Sequence, residues 1–359
     1  MIMTLIIAEA GVNHNGDAKL ARDLVAAAHK AGADIVKFQT FKAKNLVTEK
    51  ATQANYQKKN MGKEESQLAM LQRLELSHEL HYELVDYCKE LGIEFLSTAF
   101  DDESLDFLVN DLGLNRLKLP SGEITNAPLA LKHAQTGCNL IVSTGMATMA
   151  EIESILGVIA YGYLNPNAKA ATRADFEAAY ASDLGQSVLR EKVTVLHCTT
   201  EYPAPMEEIN LNAMNTIANT FRLQIGYSDH SRGITIPIAA VAKGATIIEK
   251  HFTLDRNLEG PDHKASLEPD ELANMVTAIR NVERALGDGV KRPTVSEVQN
   301  KSIARKSLVV VQPIKEGQVI KAEDIAVKRP GGGRSPYDYW QVIGQKCNHD
   351  YQPGDTLID

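Results

Sequence analysis

The chain has 359 residues, a formal net charge of −8, 44% hydrophobic and 23% charged residues. That size and balance fit one barrel-sized domain with a small appendage and an ordinary buried core, and the acidic excess speaks against a nucleic-acid surface. No stretch reaches the roughly 20 apolar residues of a membrane span, and the apolar opening, which lacks a basic leader, reads as a buried strand. Cys88, Cys138, Cys198 and Cys347 lie far apart without CxxC spacing, as expected of buried free thiols in a reduced, cytoplasmic setting.

Short apolar runs at 5–8, 35–38, 94–96, 116–119, 140–142, 193–196, 223–226 and 246–248 have the continuous Val/Ile/Leu character of parallel strands covered on both faces. Amphipathic stretches at 18–31, 77–91, 103–112, 149–161, 210–220, 234–243 and 269–286 alternate with them. In the first of these, Leu20, Leu24, Ala27 and Ala28 recur at helical spacing and Gly32 follows as a C-terminal cap. This alternation predicts an α/β fold, a (β/α)8 TIM barrel over residues 1–287. An open doubly wound sheet is disfavoured because no GxGxxG turn follows the first strand.

Two segments exceed the minimal repeat. Residues 48–74 read as a polar excursion over the barrel mouth, and 164–190 as a decorated helix. Beyond Gly287, residues 288–301 read as a linker. Residues 302–359 carry short alternating runs and read as a small β-rich domain, marginal alone.

Polar residues follow nearly every apolar run. Glu9 follows the first, Gln39 the second with Lys37 inside it, Thr98 the third, and Ser121 and Glu123 the fourth with Lys118 inside it. Ser143 and Met146 follow the fifth, Tyr202 the sixth, Ser228 and His230 the seventh, and His251 the eighth. Groups at the C-terminal ends of barrel strands converge on one pocket. His230 and His251 end consecutive strands, roughly 5 Å apart in a sheet, so their imidazoles suit one labile divalent ion used as a Lewis acid. Lys37 and Lys118 need anions inside a barrel. With the hydroxyls and the loop N–H groups at Ser121-Gly122 and Thr144-Gly145 they suit a ligand carrying phosphate and carboxylate. Pairing of the lysines with Glu9 or Glu123, and a Schiff-base aldolase, are the alternatives.

Lys37-Phe38-Gln39-Thr40, Pro120-Ser121-Gly122-Glu123, Ser143-Thr144-Gly145-Met146, Ser228-Asp229-His230, Glu249-Lys250-His251, Gly260-Pro261-Asp262-His263 and Lys328-Arg329-Pro330-Gly331 together resemble the sialic acid (nonulosonate) synthases, nearly end to end. The resemblance implies a barrel joined to an antifreeze-like (SAF) domain, and condensation of phosphoenolpyruvate with an N-acylated amino sugar with release of phosphate. It makes His230 and His251 ligands of a divalent metal, Mn²⁺ foremost with Mg²⁺ or Co²⁺ as alternatives. Lys37, Thr98, Lys118, Ser121, Ser143 and Ser228 would hold phosphoenolpyruvate. Gln39, Tyr202, Asp262 and, from the second subunit of a domain-swapped homodimer, Arg329 would hold the sugar, and Met146 is a further substrate-binding residue. Glu9 and Glu123 are the two candidate general bases. N-acetylmannosamine, giving N-acetylneuraminate, is the first acceptor implied, and 2,4-diacetamido-2,4,6-trideoxymannose, giving N,N'-diacetyllegionaminate, is the alternative. Thr200 and Gly332 depart from the residues common in the family near the sugar.

Overall fold

In the computed structural model residues 3–61 and 65–358 are described; Met1 and Ile2 of the apolar opening, and 62–64 of the excursion, lie outside them. The chain divides into two compact units, Met1–Gly287 and Asp288–Asp359.

The first unit is a closed barrel of eight parallel strands in sequential order. They are β1 (Leu5–Gly11), β2 (Ile35–Thr40), β3 (Glu94–Ala99), β4 (Arg116–Leu119), β5 (Asn139–Ser143), β6 (Val193–Cys198), β7 (Gln224–Asp229) and β8 (Ile247–His251). Seven run past the apolar segments that announce them, so several polar residues expected in loops are part of the strands.

Side chains alternate across a strand. Ile7, Ile35, Leu96, Ile141, Leu196 and Ile247 form their own buried cluster, which fills the barrel axis as in other barrels of this type. Two residues further along the same strands come Glu9, Lys37, Thr98, Ser143, Cys198 and Glu249. The inward face therefore changes from apolar to polar in one step, and that step is the floor of the site. The outward residues join the larger cluster between sheet and helices.

The covering helices begin at side-chain caps. Asp17 accepts from Leu20 N ahead of Ala18–Lys30, Ser77 from Leu80 N ahead of His78–Leu91, and Thr148 with Glu151 closes a capping box on Met149–Leu164. The sequence does not announce Ala127–Gln135, a short helix opened by Asn126. The 103–112 stretch is an α-turn, Asp102–Asp106, widened into a π-helix, Phe107–Asp111. The 164–190 insertion forms two helices, Arg173–Ala181 and Asp183–Lys192. A Cβ at Gly157 of Met149–Leu164 would lie 2.9 Å from Phe176 O, so a residue without one lets the insertion pack this closely. No helix among the described residues is long and apolar enough to cross a membrane, and all four cysteines are free and buried.

Two histidines outside the barrel mouth are buried as neutral rings. His81 Nδ1 lies 2.8 Å from Ser77 O and its Nε2 2.8 Å from Thr40 Oγ1, while His133 Nδ1 lies 2.8 Å from Leu129 O. Burial pulls each ring's pKa down to about 4. The unfolded chain then binds more protons between the folded and unfolded pKa values. Stability is complete above the ordinary histidine pKa of about 6.5 and lost as pH falls toward 4. Chemical denaturation at pH 7 and pH 5 is expected to differ by on the order of 2 kcal/mol per histidine, and His133→Leu should remove its share of the slope.

In the second unit β9 (Ser307–Val310) pairs antiparallel with β10 (Ile325–Lys328). Isolated bridges Ile314↔Tyr351 and Val319↔Lys346 extend the β character. Leu308, Val310, Ile314, Ile325, Val342 and Leu357 belong to its separate small core. Part of the stretch read as a linker is helical, Val295–Ala304, with a capping box from Thr294 and Glu297.

Candidate active site

A cavity of about 370 Å³ opens at the C-terminal ends of the barrel strands. Every site residue named from the sequence lines it except Met146 and Arg329. Met146, 71% exposed, sits at φ 66° and lines an adjoining surface groove. Arg329 lies exposed in the second unit, its Nε donating to Ala304 O at 2.9 Å.

The floor is a chain of alternating charges. Lys37 pairs with Glu9 and lies 3.5 Å from Glu249 Oε2. Lys118 Nζ donates to both Glu249 oxygens, at 2.9 and 3.1 Å, and Ser228 Oγ donates to Oε1 at 2.8 Å. Lys37 also donates to Thr98 Oγ1 at 3.1 Å. Both lysines and both glutamates are buried, so leaving any of them unpaired would be costly. The alternative pairing thus holds for Lys37 with Glu9, whereas the partner of Lys118 is Glu249 and not Glu123.

The two carboxylates are driven apart. Burial pushes Glu9 up to about 7, against the pull of Lys37 and with help from the Glu249 charge. Burial acts the same way on Glu249, but Lys118 and Lys37 outweigh it and hold that group well below the usual carboxylate range. One stays ionised as a counter-ion, and the other titrates near neutrality as an acid or base must. Glu123, in the turn Ser121–Glu123, is half-buried and accepts from Asn126 Nδ2 at 2.7 Å.

Ser143 Oγ and Thr200 Oγ1 are buried without a hydrogen-bond partner, which in a polar cavity marks groups reserved for a ligand. The loop N–H groups after β5 are otherwise engaged, contrary to expectation. Thr144 N donates to Leu196 O at 3.0 Å, and Gly145 N to Ser121 Oγ at 2.9 Å. The second of these positions Ser121. A Cβ at Gly145 would lie 2.1 Å from Thr200 Oγ1 and 2.8 Å from Ser121 Oγ, so a side chain here would displace both hydroxyls.

His230 and His251 face each other with ring centroids 5.6 Å apart. Nδ1 of His230 donates to Thr199 O at 2.6 Å, which turns the lone pair of Nε2 toward the cavity. His251 Nδ1 is buried without a partner. Burial depresses both rings, His230 to about 4 and His251 well below the usual range, so both are neutral, as metal ligands must be. Among the described residues no group of three or more His, Cys, Asp or Glu is placed to hold a metal ion. The donor set fits a two-imidazole site open to substrate oxygens. Between the two histidines' strands, Asp229 and Lys250 form an ion pair with no exposure, at 2.5 Å, and Asp229↔Lys250 is a register pair of β7 and β8.

The Tyr202 ring lies tilted by 33° against His230, 4.1 Å between centroids. Burial raises Asp262 to about 6. The Asp262 loop is tied back by Asn13 Nδ2, which donates to Phe252 O at 2.8 Å and Ser266 Oγ at 3.0 Å, and by Ser266 Oγ to Asp262 O at 2.8 Å.

Residues 24–291 match the model of the NeuB family, and 305–357 that of the SAF domain. The chain belongs to the NeuB family. Within it, the chain is 48% identical to an N,N'-diacetyllegionaminic acid synthase of Campylobacter jejuni over 100% of this chain and 99% of that one. It is 43% identical to a protein of the same name from Legionella pneumophila, over 98% and 93%. The N-acetylneuraminic acid synthetase of Leptospira borgpetersenii, crystallised with citrate, superposes with a TM-score of 0.66 at 32% identity, covering 83% of this chain and 90% of that one. NeuB members are enzymes, which agrees with the convergence of titratable groups at this barrel mouth.

Glu249 is the functional residue that sequence reasoning passed over. Its signal was present: Ile247, Glu249 and His251 share the inward face of β8 at spacing two. Tyr56, on the helix Asn55–Met61, is a second, with its ring 4.9 Å from Tyr202. Nothing in its polar neighbourhood announced it.

Proposed function

We infer that the chain is an N,N'-diacetyllegionaminic acid synthase, joining phosphoenolpyruvate to the open-chain aldehyde of 2,4-diacetamido-2,4,6-trideoxymannose with release of phosphate. What carries the acceptor is 48% identity along the whole chain to a synthase of that name, against 32% to the N-acetylneuraminic acid synthetase. The order of the two acceptors implied by the sequence is thereby reversed, and N-acetylmannosamine becomes the alternative.

Lys37 and Lys118 face the phosphate and carboxylate charges of phosphoenolpyruvate, with Thr98, Ser121 and Ser143 as hydroxyl donors and Ser228, whose proton goes to Glu249, lining the same subsite. Gln39, Tyr202 and Asp262 contact the acceptor, and in a domain-swapped homodimer Arg329 of a second copy joins them. A divalent metal, Mn²⁺ or in its place Mg²⁺ or Co²⁺, would be held by His230 and His251 and when bound supplies Lewis acidity to the acceptor's aldehyde.

C3 of phosphoenolpyruvate bonds to the aldehyde carbon, whose oxygen gains the electron pair, and C2 becomes cationic. Glu9 takes a proton from the water that adds to C2. Cleavage of the bond from C2 to the bridging oxygen then frees phosphate and leaves the ketone. The proton on Glu9 passes to the new alkoxide, and the remaining hydroxyl proton leaves with phosphate. A group titrating near 7 is suited to that exchange. Glu249 stays ionised, and its contacts with both lysines keep them aimed.

Phosphate release from phosphoenolpyruvate, measured with each sugar, tests the acceptor. The diacetamido sugar is expected to give a kcat/KM at least ~10-fold above that with N-acetylmannosamine. Equal or higher activity with N-acetylmannosamine overturns the assignment, and no phosphate release with any sugar would favour a metal-dependent aldolase. Lys118→Met is expected to raise the KM for phosphoenolpyruvate at least ~10-fold, and to lower thermal stability as Glu249 loses a partner.

A further inference from the structure

The cavity has two chemically different halves. Its floor is the charged and hydroxyl-bearing set described above. Its roof comes from the excursion after β2, which folds as the short helices Ala43–Leu46, Asn55–Met61 and Gln67–Leu74. Contacts among the described residues tie this excursion across the barrel mouth. Tyr56 packs on Tyr202 beyond β6. Asn60 Nδ2 donates to Pro261 O at 2.7 Å, beside Asp262, and Lys264 Nζ donates to Asn60 O at 2.6 Å.

Gln67, Met70, Leu71 and Leu74 stand at positions i, i+3, i+4 and i+7 of one helix, hence on one face, and all four line the cavity with Leu46 and Val47 of the preceding segment. Met70 and Leu74 are buried in a small satellite core, with Gln53 Nε2 against Met70 Sδ at 3.4 Å. Leu46, Val47 and Leu71 are only partly covered. An apolar surface left open above a charged floor is unusual for a wall whose ligand is polar throughout.

We propose that this roof selects the acceptor by its deoxygenated end: Leu46, Val47 and Leu71, backed by the buried Met70 and Leu74, receive the C6 methyl where N-acetylmannosamine carries a hydroxymethyl group. The proposal rests on the acceptor assignment above. The aldehyde must reach phosphoenolpyruvate at the floor, so the far end of the open sugar chain meets the roof. A hydroxyl there gives up water and finds no partner among leucines and valine, whereas a methyl loses nothing. Gln57 and Gln67, the amides that interrupt the wall, match the donor and acceptor pattern of an acetamido group. Apolar walls discriminate against an added hydroxyl by about 10²-fold at most, which bounds the expected preference.

The test is kcat/KM for both sugars in the full-length, metal-loaded enzyme and in Leu71→Gln, Leu46→Gln and Val47→Thr. The last is nearly isosteric and guards against a variant that fails to fold. Each polar substitution is expected to cut the preference for the trideoxy sugar by ~10-fold, chiefly by improving N-acetylmannosamine, with the KM for phosphoenolpyruvate within about twofold of wild type. If wild type prefers the trideoxy sugar and the variants keep its ratio, the selective roof is refuted and the acceptor assignment stands. If wild type prefers N-acetylmannosamine, the assignment itself is refuted, and the roof proposal with it.

Discussion

Replacing His251 by Ala is expected to remove condensing activity by at least ~10³-fold, since Lewis-acid stabilisation of a developing alkoxide contributes several kcal/mol. Among the described residues two imidazoles line this cavity, so under the proposed metal site the loss of one would leave His230 as the single imidazole ligand, and metal affinity should fall with activity. Equilibrium binding of Mn²⁺ by calorimetry and phosphate release should decline together in the variant. Chelation of the wild type should abolish the rate and added Mn²⁺ restore it. Full activity after chelation would assign the two histidines another task, such as proton transfer.

Glu9→Gln is expected to lower kcat by about 10²- to 10⁴-fold, the range for a lost acid or base, with phosphoenolpyruvate binding little changed because Lys37 retains Glu249 nearby. The pH profile separates this role from a structural one. Burial holds Glu9 at about 7, and the base must be ionised, so kcat should rise with pH through 7 and level off above it. Glu9→Gln should lack that limb. Glu123→Gln provides the comparison. Near-normal turnover of Glu9→Gln beside a large loss in Glu123→Gln would transfer the role to Glu123.

The barrel was legible because each strand carries an apolar run, and the site because polar residues close those runs in nearly every case. Position two beyond each axial residue explains both Glu9 after Ile7 and Lys37 after Ile35. The same rule places Glu249 inward and Lys250 outward, but it operates only once the register of β8 is known. The pairing of Lys118 with Glu249 joins residues 131 positions apart, and nothing local specifies it. Within the excursion, polar residues around Tyr56 and Met70 conceal a short amphipathic face that packing completes. Thr144 and Gly145 were misjudged for a related reason. Their N–H groups look free in sequence but are claimed by Leu196 O of β6 and by Ser121 Oγ in the turn after β4.

The most direct single measurement supplies phosphoenolpyruvate labelled with ¹⁸O at its bridging oxygen together with 2,4-diacetamido-2,4,6-trideoxymannose and Mn²⁺, and reads both products by mass spectrometry. The expected result is N,N'-diacetyllegionaminic acid free of label, with the ¹⁸O in the released phosphate. Label retained in the sugar acid, or no sugar acid from this acceptor, would contradict it.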